Sequence, residues 1–395
     1  MRTFPPGFLW GAATSGHQTE GNNVNSDYWQ REYAPDSTVP DVSGDACDSF
    51  HRYPEDIALL AGLGLNSYRF GVEWCRVEPE RGQVSVAMLD HYRRVVDCCH
   101  RHGLTPMVTL NHFTVPRWMS ALGGWRNPHA AELFARFTEI ALPVLRDGVG
   151  WVCTINEPNI IACAVGAADP DAAPVAYGMA RPDPTASAEL ARAHRLSRSV
   201  LSTVPGVRSG WTVATQAIHA APGCDEAAAE YSYPLEEYFL EAARDDDFVG
   251  VQAYTRTFVG RDGARPPAAG AETTLTGWEY FPEALGIGVR NAWKVTGGVP
   301  VMVTENGIAT ADDGRRIDYT RQALAGLHEA MADGVEVRGY YHWSALDNYE
   351  WGRYAPTFGL IAVDRATFRR TVKPSGAWLG AVARANSLPE AVAIP

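Results

Sequence analysis

The chain has 395 residues, 46% hydrophobic and 20% charged, and a formal net charge of −12 from 46 acidic against 34 basic side chains. This is the composition of a globular protein with enough chain for a large core, and it is as compatible with one barrel as with two or three smaller domains. The acidic balance disfavours nucleic acid and anionic membrane surfaces as partners, and the first residues, MRTFPPGFLW, read as neither a signal peptide nor a membrane anchor.

Eight short β-rich runs follow one another along the chain, at 8–14, 65–72, 105–111, 150–156, 209–215, 248–254, 300–305 and 337–343. Helical patterns lie between most of them, among them 54–62, 86–102, 130–145, 186–203, 235–244 and 318–332. Strands alternating with helices predict parallel pairing with helical crossovers, and eight such units close into a (β/α)8 barrel of the α/β class. No linker or charge block divides the chain, so residues 1–395 are expected to form a single catalytic domain; GRDGARPPAAGAE (260–272) reads as one surface loop. The cysteines at 47, 75, 98, 99, 153, 163 and 224 are odd in number, which fits reduced thiols and a cytoplasmic location. CCHRHG (98–103) reads as the end of the helix over 86–102, capped by Gly103, rather than as a metal site.

Two of the eight runs end on a glutamate. WVCTINEPNI (151–160) reaches Glu157 and turns at Pro158, and VMVTENGIAT (301–310) reaches Glu305 and turns at Gly307. In an α/β barrel the chemistry sits where the strands end, so both carboxyl groups are placed to converge over the barrel mouth. A single strand-end glutamate is more simply a salt-bridge partner or a helix cap; two in matching settings suggest a pair. Paired carboxyls can protonate the leaving oxygen of an acetal and stabilise the oxocarbenium-like centre left behind, with separations of about 5–5.5 Å giving retention and about 6.5–9.5 Å giving inversion. Spacing along the chain does not fix that distance. Whichever carboxyl serves as the acid must keep its proton at working pH, as burial beside a second carboxylate favours.

TINEPN and VTENG resemble the acid/base and nucleophile motifs of the family 1 glycoside hydrolases, a family of retaining β-glucosidases and related β-glycosidases. FLWGAATSGHQTEG (8–21), YRFGVEWCRVEP (68–79), VTLNHF (108–113), GGW (123–125) and WSALDNYEW (343–351) follow in the family's order, so the resemblance runs almost end to end. It implies a retaining β-glycosidase, most simply a β-glucosidase, acting on a small-molecule β-glycoside without metal or other cofactor. Glu157 is then the general acid/base and Glu305 the nucleophile.

The same resemblance implies the rest of the pocket. Gln18 and Glu350 would grip hydroxyls of the non-reducing sugar, with Trp351 beside them and Trp343 beneath the ring. His112 and Asn156 would contact hydroxyls nearer the reacting carbon, Arg69 and Tyr254 would hold the nucleophile, and Trp278 would carry the leaving group. Each residue taken alone also fits a structural role: strand-end amide for Gln18, core ion pair for Arg69, core ring for the tryptophans, buried histidine for His112.

The chain departs from the family pattern in four places. Strand six reads VQAYT, with Gln252 and Ala253 in place of the usual asparagine and aromatic. CAVGAADPDAAPVAYGMARPDP (163–184) replaces the usual loop after strand four, Phe113 stands where many members have tryptophan, and the chain is short. These changes bear on glycone preference, which stays open among glucose, galactose, fucose and xylose, and on the leaving-group pocket; the balance of hydrolysis and transglycosylation is a kinetic matter that the sequence leaves open. Three rivals remain: a phospho-β-glycosidase, against which acidic Glu350 in NYEWGRYAPTFG argues; a barrel that binds sugar without cleaving it; and a metal-dependent enzyme, for which no ligand spacing is present.

Overall fold

Short runs rich in apolar and aromatic residues form the eight strands of a closed parallel barrel, followed here in a computed structural model that describes residues 2–168, 175 and 177–389. The strands are β1 (Leu9–Ala13), β2 (Ser67–Gly71), β3 (Thr105–Asn111), β4 (Trp151–Asn156), β5 (Arg208–Thr215), β6 (Val249–Ala253), β7 (Val301–Asn306) and β8 (Val337–Trp343). They pair in chain order and β8 closes on β1, where Trp343 lies opposite Ala13. All eight expected strands are present, and the fold is the (β/α)8 barrel.

Period-two alternation sorts each strand between two apolar layers. Along β6, Val249, Val251 and Ala253 join the outer layer with Leu285 and Val289 of the helix Ala284–Thr296. Inside the barrel, Ala13, Met107, Cys153, Met302, Tyr341 and Trp343 form a smaller cluster. Ala253 thus faces the helices while Gln252 and Tyr254 point to the barrel mouth.

Several expectations are corrected. The helix predicted over 54–62 begins at Ser49, with Pro54 inside it; a proline there deletes one intrahelical bond, and packing through Ile57 and Leu60 holds the turns on either side. The stretch 235–244 is a wide π turn, Tyr233–Glu237, running into a short α-helix, Tyr238–Glu241. The helix Val86–Arg101 is capped by His102, and Gly103 follows one residue later in the left-handed region at φ +73°. Segment 260–272 is not simply a loop. Gly263–Arg265 pairs with Thr257–Gly260, which pairs in turn with Ile218–Ala220, giving a small three-stranded sheet over the barrel rim. After β4 the helix Pro158–Ala167 absorbs the start of the expected 163–184 loop; residues 169–174 and 176 of it lie outside the described residues.

Candidate active site

Strict alternation would not aim both ends of the catalytic strands inward. On β4, Cys153 points into the barrel and Thr154 bonds outward to His194 on the helix Pro184–Leu201. The register then slips between Cys153 and Asn156, so Asn156 points inward three residues after Cys153. β7 repeats this: Met302 is inside, the register slips after Val303, and Glu305 is inside. Such irregularities re-aim a side chain at the cost of local ladder pairing and are common beside active sites. Gly307 follows because nothing larger fits, since a Cβ there would lie 2.0 Å from the Trp343 carbonyl oxygen.

Glu305 is held on both oxygens. Arg69, fully buried on β2, donates from Nη1 to Oε1 at 2.6 Å, and the Tyr254 hydroxyl donates to Oε2 at 2.6 Å. The other Arg69 terminus, Nη2, donates to Asn156 Oδ1 at 2.5 Å. One guanidinium thus spans the barrel and ties β4 to β7. Burial raises the Glu305 pKa, but Arg69 and Tyr254 oppose it because both stabilise the ionised form.

Glu157 lies in the opposite electrostatic situation. It stands one residue beyond Asn156 in a left-handed conformation (φ +44°, ψ +60°) at the head of the helix Pro158–Ala167, a strained backbone for a non-glycine residue and of the kind found at functional sites. Its backbone N–H bonds the Thr212 carbonyl at 2.8 Å, while among the described residues its carboxyl has no hydrogen-bond donor or ion-pair partner of its own. Burial, then the charge of Glu305, push its pKa well above the ordinary range; Arg69 only partly offsets them. Of this pair Glu157 holds its proton the more tightly, and Glu305 is the one whose surroundings favour the ionised form.

The other predicted residues fall into two groups around this pair. Gln18 Nε2 donates to Glu350 Oε2 at 3.1 Å, and Trp343 Nε1 donates to Glu350 Oε1 at 3.1 Å. Gln18 Oε1 is buried without a partner. Burial, aided by the charge of Glu305, raises the Glu350 carboxyl to about 8. His112 stacks near Trp343 and Trp351 at centroid distances of 5.7 and 6.2 Å, and Phe113 meets Trp351 edge-on at 5.0 Å. Trp278, 38% exposed, stands at the rim 5.5 Å from the Tyr254 ring. The predicted site residues all line this one mouth.

Sequence reading missed several supporting residues. Thr212 supplies the fifth strand's contribution, donating to Asn156 Oδ1 at 3.2 Å; its inward direction was available from alternation with Gly210. His17, hydrogen-bonded to Glu32 at 3.0 Å, stacks at 5.6 Å beneath Trp351, and it sits inside the GHQ motif that also holds Gln18. Phe358 backs Tyr254 and Trp278, and nothing in its local sequence marks that role.

A (β/α)8 barrel with two glutamates in unlike electrostatic settings over its mouth, walled by aromatic rings and amides, defines a carboxylate-pair enzyme of the kind that breaks acetal bonds. Comparison with known proteins agrees. The profile described as "Glycosyl hydrolase family 1" matches residues 1–193 and 235–388. Beta-glucosidase A of Thermotoga maritima is 31% identical over 98% of this chain and 99% of its own length, and thermostable beta-glucosidase B of Thermobispora bispora is 33% identical over 98% and 92%. The crystal structure of beta-glycosidase BGL167 superposes with a TM-score of 0.89 at 45% identity, covering 99% of this chain and all of that one. The Thermotoga maritima beta-glucosidase in complex with glucoimidazole gives 0.89 at 28% identity. The chain belongs to glycosyl hydrolase family 1 and is an O-glycosyl hydrolase.

Proposed function

We propose that the protein is a retaining β-glycosidase, acting first on terminal non-reducing β-D-glucosides, with Glu305 as nucleophile and Glu157 as acid/base. The observation that carries this reading is the unequal environment of the two carboxyls: Glu305 is bonded by a buried arginine and a tyrosine, and Glu157 has neither. In the first step Glu305 attacks the anomeric carbon while Glu157 delivers its proton to the departing oxygen. In the second, Glu157 takes a proton from water, the water oxygen attacks the anomeric carbon, and Glu305 leaves.

Asn156 donates to the 2-hydroxyl, a contact that strengthens in the transition state. His112, Gln18 and Glu350 bind the remaining hydroxyls, Trp343 and Trp351 cover the ring, and Trp278 supports the leaving group. Arg69 and Tyr254 keep Glu305 ionised and oriented. The unpartnered Gln18 Oε1 is an acceptor that matches a sugar hydroxyl, and Glu350, bonded by Gln18 and Trp343, offers no cation to hold a phosphate. The glucoside preference is supported by the names of the relatives; galactosides and fucosides fit the same groups.

Residues 1–395 act as one catalytic domain in this reading. A cytoplasmic location is supported by seven unpaired cysteines, and no described helix is long and apolar enough to cross a membrane. A panel of aryl β-glycosides, followed by NMR of the first-formed anomer, tests the proposal. It expects β-glucose as the initial product and much slower cleavage of the 6-phosphate; initial α-glucose, or a preference for the phosphate, refutes it.

A further inference from the structure

Three donors converge on one acceptor atom. Asn156 Oδ1 receives Arg69 Nη2 at 2.5 Å, Gln252 Nε2 at 2.9 Å and Thr212 Oγ1 at 3.2 Å. A carbonyl oxygen has two lone pairs, so this atom is saturated. Turning the amide over would set its N–H groups against a guanidinium and a second amide N–H. Thr212 also accepts from Gln252 Nε2 at 3.1 Å, so a chain of bonds runs from Gln252 through Thr212 to Asn156. The Gln252 amide is fixed as well: both its hydrogens have acceptors, and its Oε1 is buried without a partner rather than facing the Asn156 oxygen.

The consequence appears at the other end of Asn156. Its Nδ2 has one protein contact, with His112 Nε2 at 3.3 Å, and its second hydrogen is uncommitted. Because Nδ2 can only donate, this contact requires His112 Nε2 to accept and places the imidazole proton on Nδ1, an atom buried without a hydrogen-bond partner among the described residues. Burial and the Arg69 charge push the His112 pKa well below its ordinary value, so the ring stays neutral. Of the residues responsible, Gln252 is the strand-six departure from the resemblance, and Thr212 lies in the stretch 194–234 outside the family profile match. Thr212 has its place because β6 carries a glycine next to it, where a Cβ on Gly250 would come 2.6 Å from Thr212 Cγ2.

We propose that Gln252 and Thr212 are positioning residues that lock the Asn156 amide donor-outward, so that the site selects glycosides with a hydrogen-bond acceptor at C2 and rejects those with hydrogen or an ammonium group there. This rests on the assignment of Asn156 to the 2-hydroxyl. Without the lock, Asn156 samples both amide orientations and loses part of its grip on that oxygen in the transition state.

The test compares kcat and KM for an aryl β-glucoside and its 2-deoxy analogue in the wild type, Gln252→Met and Thr212→Val. The wild type should favour the 2-hydroxy substrate by at least about 100-fold, since 2-hydroxyl contacts contribute several kcal/mol. In Thr212→Val that preference should fall about tenfold, chiefly in kcat, with the 2-deoxy substrate changed by no more than about threefold; Gln252→Met, which also removes an amide that stabilises ionised Glu305, should lose the preference by a similar factor on top of a loss shared by both substrates. Nitrogen-15 NMR of His112 should show Nδ1–H in the wild type and a tautomer mixture in the variants. Equal losses on both substrates, or an unchanged preference in folded Thr212→Val, overturns the proposal while leaving Asn156 in place. A wild type indifferent to the 2-hydroxyl overturns the proposal by removing the Asn156 assignment beneath it.

Discussion

The Tyr254 hydroxyl donates to Glu305 Oε2 at 2.6 Å, on the carboxylate oxygen that Arg69 leaves free. This bond stabilises the ionised form, lowering the pKa that burial raises. Tyr254→Phe should therefore cost well over tenfold in kcat, more than about 1.4 kcal/mol of barrier, with KM little changed. The acidic limb of the pH profile should move to higher pH, because Glu305 without the hydroxyl protonates more readily. A variant with wild-type kcat and an unmoved limb would show that the bond plays no part in turnover.

The glutamate pair divides the chemistry unequally, which substrates with different leaving groups expose. General acid catalysis is worth roughly 10²–10⁴-fold and matters most for poor leaving groups. Glu157→Ala should lose that factor on alkyl glucosides while dinitrophenyl glucoside still forms the glycosyl-enzyme at nearly the native rate. Glu305→Gly should be inactive on both, and added azide should give a glycosyl azide of inverted configuration. Equal losses for both substrate types in Glu157→Ala would rule out the acid role.

How much of the molecule is legible in its sequence follows from the physics of each element. The eight strands can be read because buried parallel strands are near-continuous apolar runs. The inward turn of Gln252 and Tyr254 follows from period-two alternation. The direction of Glu305 does not, because the slip after Val303 depends on how β7 pairs with β6 and β8, which no local pattern records. Nor can spacing reveal that Arg69 joins Glu305 to Asn156, since that contact crosses the barrel. The sheet formed by Ile218–Ala220, Thr257–Gly260 and Gly263–Arg265 is hidden because its strands are only three or four residues long and Pro266 and Pro267 follow directly, although Asp262-Gly263 is a reasonable hairpin signal.

Coupling between the two glutamates predicts a pH effect of definite sign. After burial, the charge of Glu305 is the largest contribution raising the Glu157 pKa. Glu305→Gln removes that charge and leaves Arg69 unopposed, so the Glu157 pKa should fall. Carbon-13 NMR of labelled glutamate should show Glu157 deprotonating at lower pH in Glu305→Gln than in the wild type. A rise, or no movement, would mean that the two carboxyls do not sense one another across the mouth.

A last prediction concerns a carboxyl away from the reacting centre. Glu236 sits on the π turn Tyr233–Glu237, only 3% exposed, and its one bond is from the Gln216 backbone N–H at 2.6 Å. It borders a cavity of about 180 Å³ shared with Ile218, Glu237 and Asn291. Burial without a cation raises its pKa to about 8. Below the ordinary carboxyl range both folded and unfolded chains hold this proton, and stability is intact. As pH rises from about 4.5 toward 8 the unfolded chain ionises first while the folded one does not, so stability is progressively lost. Glu236→Gln keeps the acceptor for Gln216 and cannot ionise. Relative to the wild type it should be less stable by on the order of 1 kcal/mol at pH 5 and more stable by on the order of 2 kcal/mol at pH 8, a tenfold change in proton affinity being worth about 1.4 kcal/mol. The gain falls short of the full linkage because the new amide brings N–H groups that need acceptors. Urea unfolding of both proteins across that range checks it. A difference that stays flat with pH would show that Glu236 is already ionised in the folded protein, stabilised by something in the cavity beside it.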